Sequence, residues 1–107
     1  MRIAAAFLLA LFALPLFSHP PQAQEKIKGT IGDSKCGRYH TVVPGDGPAG
    51  CTHYCVARGA HFILVTPDQI YQLRGDSKLL SDYAGVPRTI VGTRHGDVID
   101  VTAIESE

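Results

Sequence analysis

The sequence predicts a mainly β fold: a small five-stranded barrel with one short helix between its third and fourth strands and a Cys/His-bearing insert after its first strand. Three observations carry this expectation. Five short runs of alternating or β-branched residues are separated by turns containing Gly and Pro. A helix-like segment falls between the third and fourth of them. All three cysteines lie in one polar stretch after the first run.

The N-terminus comes first. Met1-Arg2 carries one positive charge, Ile3 to Phe17 is nearly all apolar, and residues 18–24 are polar and end in small or polar side chains. That layout is that of a secretory signal peptide, and the apolar run falls short of the roughly 20 residues of a membrane span. We therefore expect a signal peptide over 1–23 and a single domain over 24–107, exported to the periplasm or secreted. After cleavage no stable membrane insertion is expected. The region has no cysteine for a lipid anchor. Removal of residues 1–23 from a chain of 107 leaves 84, a size at which domains often add disulfides or a metal to a limited core.

Along the remaining chain, Ile27 to Ile31 alternates and reads as a strand. Asp33 to Gly50 is polar and rich in Gly and Pro, hence a loop. Ala49 to Arg58 is a short helix, with Gly59 as its stop. His61 to Val65 is β-rich, Thr66 to Gln69 is a turn with Pro67 at its second position, and Ile70 to Leu73 is the return strand. Asp76 or Ser77 caps a helix running through Leu79, Leu80, Tyr83 and Ala84. Val86 to Thr93 is a strand with Pro87 near its start, where proline is tolerated. Arg94 to Asp97 is a hairpin turn, and Val98 to Ile104 is the last strand. Five strands with a helix between the third and fourth is the OB-fold order. The helix is expected to plug one end of the barrel, with Ile31, Ile63, Leu64, Leu73, Ile90 and Val101 in the core.

Two stretches carry a resemblance. Gly29-x-Ile31-x-Asp33-Ser34-x-Cys36-Gly37-x-x-His40 and Cys51-x-x-x-Cys55-Val56-x-x-Gly59-Ala60-x-Phe62-x-Leu64-Val65 resemble the signature of a family of small exported bacterial proteins. The back half is also similar, more weakly, to periplasmic OB-fold proteins. The resemblance implies the fold and export and brings no activity with it; fold alone does not give function.

The chemistry, within an insert at about 33–60, lies between Cys36 and Cys55. Cys36 and His40 are four residues apart, as are Cys51 and Cys55. On helical turns each pair points to one side. Two facing pairs would offer three sulfurs and one nitrogen, a set that suits tetrahedral zinc or a soft ion such as copper(I). The expected ligands are Cys36, His40, Cys51 and Cys55. His53 should point away from its cysteine neighbours. His61 and His95 read as strand-start and turn residues, and Asp33 and Ser34 as caps of the turn carrying Cys36. The Cys51-x3-Cys55 spacing matches neither the haem-attachment nor the dithiol redox motif. With a separate histidine it is similar, in ligands only, to the copper site of exported Sco-type assembly proteins.

Two other readings stay open. Exported cysteines usually form disulfides, so Cys36 could bridge to Cys51 or Cys55 and leave one thiol over, giving a stapled module for a small ligand or a protein. Alternatively, one cysteine is a nucleophile, which requires a lowered thiol pKa. Ten basic against ten acidic residues, without a cationic cluster, give no electrostatic basis for binding nucleic acid.

Overall fold

The computed structural model describes residues 12–15, 23–38 and 47–106. Most of the expected signal segment lies outside these residues, and so does His40. Among the described residues no helix is long and apolar enough to cross a membrane.

Among the described residues the fold is mainly β, with five strands and two short helices. They follow in the order β1 (Glu25–Asp33), α1 (Gly47–Val56), β2 (Phe62–Val65), β3 (Ile70–Arg74), α2 (Ser77–Asp82), β4 (Pro87–His95) and β5 (Val98–Glu105). Hydrogen-bonded neighbours run β1-β2-β3-β5-β4, and β4 returns to β1, so the strands form a closed ring. Closure depends on β1 serving two partners. Its first part, Glu25 to Thr30, pairs with β4, and its last part, Thr30 to Asp33, pairs with β2. Every pairing is antiparallel except β3 with β5. That pair is separated in sequence by α2 and β4, which supply the crossover a parallel pairing requires.

Side chains alternate across the ring as the strand period demands. Ile31, Phe62, Leu64, Leu73, Ile90 and Ile99 meet inside with Leu80 and Ala84, and Ile27, Val101 and Ile104 pack against them. Burying each such aliphatic side chain contributes about 1.5–3 kcal/mol. Ile63 is buried too, but its neighbours in sequence, Phe62 and Leu64, take the inner positions, and it lies outside this cluster. The expected Val101 is only partly buried, and Ile99 holds the central place on β5. A bulge explains how Ile104 joins Ile99 and Val101. Val91 pairs with Ala103 and Gly92 with Val101, which leaves Thr102 as the extra residue and reverses the inward parity beyond it.

The connections agree with their local chemistry. β4 and β5 meet through Gly96-Asp97, with Gly96 at φ 61, the conformation that glycine adopts without strain in two-residue hairpins. The Asp76 side chain accepts from Leu79 N at 2.9 Å and caps α2, which then places Leu80 in the core. α1 starts and ends two residues before the expected Ala49–Arg58. Pro48 is tolerated in a first helical turn, and Arg58 N and Gly59 N donate to Cys55 O and Val56 O as the helix unwinds. The N-terminal turn of α1 rests on the loop after α2. A Cβ on Gly85 would lie 2.8 Å from Ala49 Cα, while Gly85 N donates to Ile31 O at 2.8 Å. α1 is thereby held at the end of the ring where β1 finishes.

Candidate metal centre

The inward row of β1 runs through Ile27, Gly29 and Ile31 and ends on Asp33, which is fully buried. Its Oδ1 accepts from Lys35 N at 3.0 Å and Cys36 N at 2.9 Å, and its carbonyl accepts from Gly37 N at 3.0 Å. This side-chain-mimicked turn is what Asp favours at the start of a loop. Two further bonds attach it to the start of β2: Ser34 N donates to His61 O at 2.8 Å, and His61 N donates to Ser34 Oγ at 2.9 Å. Cys36 is thus presented by a rigid turn beside the ring.

The other two thiols come from α1. Cys51 and Cys55 sit one helical turn apart on its inner side, both buried, with the buried Thr52 donating to Pro48 O at 2.9 Å. Cys36 Sγ lies 3.3 Å from Cys51 Sγ and 3.9 Å from Cys55 Sγ, and all three cysteines are free thiols. One oxygen of Asp33 joins them, and the four donor atoms lie within 4.8 Å of one another. Around a tetrahedral zinc with bonds of about 2.3 Å, sulfurs stand about 3.8 Å apart. The cluster is therefore close to that arrangement and needs only small side-chain movements to reach it. Asp33, Cys36, Cys51 and Cys55 lie close enough to hold a metal ion.

Burial and one carboxylate set the electrostatics of the cluster. Among the described residues, Asp33 Oδ2 is buried without a hydrogen-bond partner, a situation that costs roughly 1–3 kcal/mol. Burial pushes the Cys55 thiol up to about 12, helped by its hydrogen bond to Cys36 and by the negative charge of Asp33. The Cys36 thiol is raised as well, chiefly by burial and then by its contact with Cys51. Burial and the Asp33 charge raise both thiols, while the Cys55 hydrogen bond lowers Cys36; a bound cation would act against the first two, because a metal deprotonates the thiols that coordinate it.

Of the residues expected from spacing, Cys36, Cys51 and Cys55 come together, and His40 lies outside the described residues. His53 points away from the cluster, its Nε2 2.8 Å from Ser81 O. His95 pairs with Asp100 at 3.1 Å, and His61 serves the Ser34 turn through its backbone. Asp33 reads in the sequence as a turn cap, and it is one, yet spacing alone does not place it beside the three thiols. The available signal was parity: counting by two from Ile27 puts a carboxylate on the inner face of a strand. Away from the thiols, a concavity of about 530 Å³ opens on the outer face of the ring, between Arg38, Thr30, Val65 and Pro87.

Comparison of the chain with family models, with curated proteins and with solved structures gives no significant match, so the functional reading rests on the geometry of the site.

Proposed function

We propose that this chain is a small exported metal-binding protein, an OB-like barrel that holds one zinc or copper ion in a thiolate-rich site at the end of its ring. The ring order and the helix between β3 and β4 support the OB-like reading. The metal reading is carried by one observation: three thiols from two segments and a buried carboxylate with an orphan oxygen converge within 4.8 Å. Cys36, Cys51 and Cys55 supply the sulfurs, and His40 or Asp33 the fourth donor. Because the turn after β1 and helix α1 both contribute, binding would also fasten the insert to the ring, so binding energy adds to folding energy.

The nucleophile alternative is disfavoured by the same environment. A reactive cysteine needs a lowered pKa, whereas Cys36 and Cys55 are both raised. The 3.3 Å separation of Cys36 and Cys51 favours the stapled-module alternative instead, since a short approach would bring the sulfurs to bonding distance.

The test uses mature protein recovered from the export compartment. Its mass should place the N-terminus near Ala23, and elemental analysis should find one metal per chain. All three thiols should resist alkylation until a chelator exposes them together and lowers the melting temperature. A Cys36 disulfide to Cys51 or Cys55, with no metal and no response to chelator, would overturn the metal reading.

A further inference from the structure

The geometry points to Asp33 as the fourth ligand, and through it to a site that selects zinc(II) over copper(I). This inference rests on the metal reading above and goes beyond it by assigning both the donor and the class of ion.

The argument starts from the two oxygens of Asp33. Oδ1 is engaged by two backbone N–H groups, which fix the plane and direction of the carboxylate. Oδ2 is buried and has no hydrogen-bond partner among the described residues, yet it belongs to the side chain that closes a ring of three sulfurs. A buried carboxylate oxygen without a donor is a recurrent cost in folded proteins unless a cation or proton meets it. The turn fixes the carboxylate beside the thiols, so it is preorganised for an ion that the thiols also hold.

The donor set then discriminates between ions. Copper(I) is soft and is satisfied by thiolates, whereas zinc is borderline and accepts carboxylate oxygen together with sulfur. A copper(I) ion held by the three sulfurs would leave Oδ2 as it is now. Charge acts in the same direction. Three thiolates and one carboxylate bring four negative charges into a buried site, and a divalent ion offsets twice as many of them as a monovalent one. Residual buried charge is costly.

Asp33→Asn separates this role from the turn. Its amide oxygen can still accept from Lys35 N and Cys36 N, while the anionic ligand is lost. The experiment titrates reduced, metal-free full chain anaerobically with zinc(II) and with copper(I), each against a competing chelator, for wild type, Asp33→Asn and His40→Ala. Melting temperature is followed with and without metal. Asp33→Asn should weaken zinc by at least about 100-fold, the upper end of what loss of an outer-sphere partner costs. It should leave copper(I) affinity within about threefold, because sulfur alone suffices for that ion. The metal-free melting temperature should stay close to that of wild type, since the amide oxygen keeps the two turn hydrogen bonds, while the rise induced by zinc disappears. His40→Ala should bind zinc as wild type does. Unchanged zinc affinity in Asp33→Asn, or a loss confined to His40→Ala, would overturn the assignment and leave the metal reading intact. A wild-type chain that binds neither ion would overturn both.

Discussion

Replacing Gly85 with alanine probes the contact that holds α1, and with it two of the three thiols, against the end of the ring. Gly85 sits at φ +81, and an L-residue forced into the left-handed region costs about 1–2 kcal/mol. The added Cβ would also stand 2.8 Å from Ala49 Cα and 3.0 Å from the Pro48 carbonyl carbon. Those atoms are backbone of the first turn of α1, so relief requires moving the helix, and overpacking of this kind costs about 1–3 kcal/mol. The expected loss is their sum, roughly 2–5 kcal/mol. Gly96→Ala is the internal control. Gly96 has a similar φ, +61, with nothing within 4 Å of its virtual Cβ, so only the backbone cost of about 1–2 kcal/mol applies. Urea unfolding of the reduced, metal-free proteins measures both, and each kcal/mol should also appear as about 4–8 °C in melting temperature. Because α1 carries Cys51 and Cys55 while Cys36 stays on the β1 turn, Gly85→Ala should weaken metal binding and Gly96→Ala should not. Equal destabilisation by the two substitutions would refute the close packing of α1 on this loop.

Further outcomes follow from the core and from the thiols. Ile90 is fully buried at the centre of β4, so Ile90→Ala should destabilise by about 2–5 kcal/mol in denaturant unfolding; Val101→Ala, at a partly buried position, should cost clearly less, and equal losses would contradict the arrangement of the core. The raised thiols make the metal-free protein sensitive to alkali. Cys36 and Cys55 lie above the ordinary value of 9.0, Cys55 at about 12, so the folded state favours their neutral forms. The stabilisation this confers is fully present below pH 9.0 and is lost as pH rises through the folded values. Reduced, metal-free wild type should therefore lose melting temperature between pH 9 and 11 more steeply than a variant with all three cysteines replaced by serine. Parallel curves would show that the thiols are not held in the low-polarity environment described.

Much of the ring was legible in the chain because strands and turns are written locally. Alternation in Ile27 to Ile31, the Pro67 turn, the Asp76 cap and the Gly96 hairpin each depend on a few adjacent residues, and each lies where its chemistry predicts. The helical spacing of Cys51 and Cys55 likewise determined that they share a side of α1. Other features required the assembled fold. The Thr102 bulge, which brings Ile104 inward, arises from how β4 and β5 register against each other. Ile63 is buried, as its hydrophobicity predicts, but lies outside the central cluster; a run of four apolar residues, Phe62 to Val65, does not reveal which parity faces inward until its partners are in place. The same holds at the site. Sequence spacing singled out the three cysteines, whereas the choice of Asp33 as their neighbour depends on the last inward position of β1 meeting the buried side of α1, residues 18 and 22 positions away along the chain. A short polar side chain after a strand reads locally as a turn cap, and Oδ1 does serve that turn. Only the closure of the ring, with α1 seated over its end by Gly85, removes water from Oδ2 and brings the carboxylate beside three sulfurs, because desolvation is a property of everything packed around an atom and not of its neighbours in sequence.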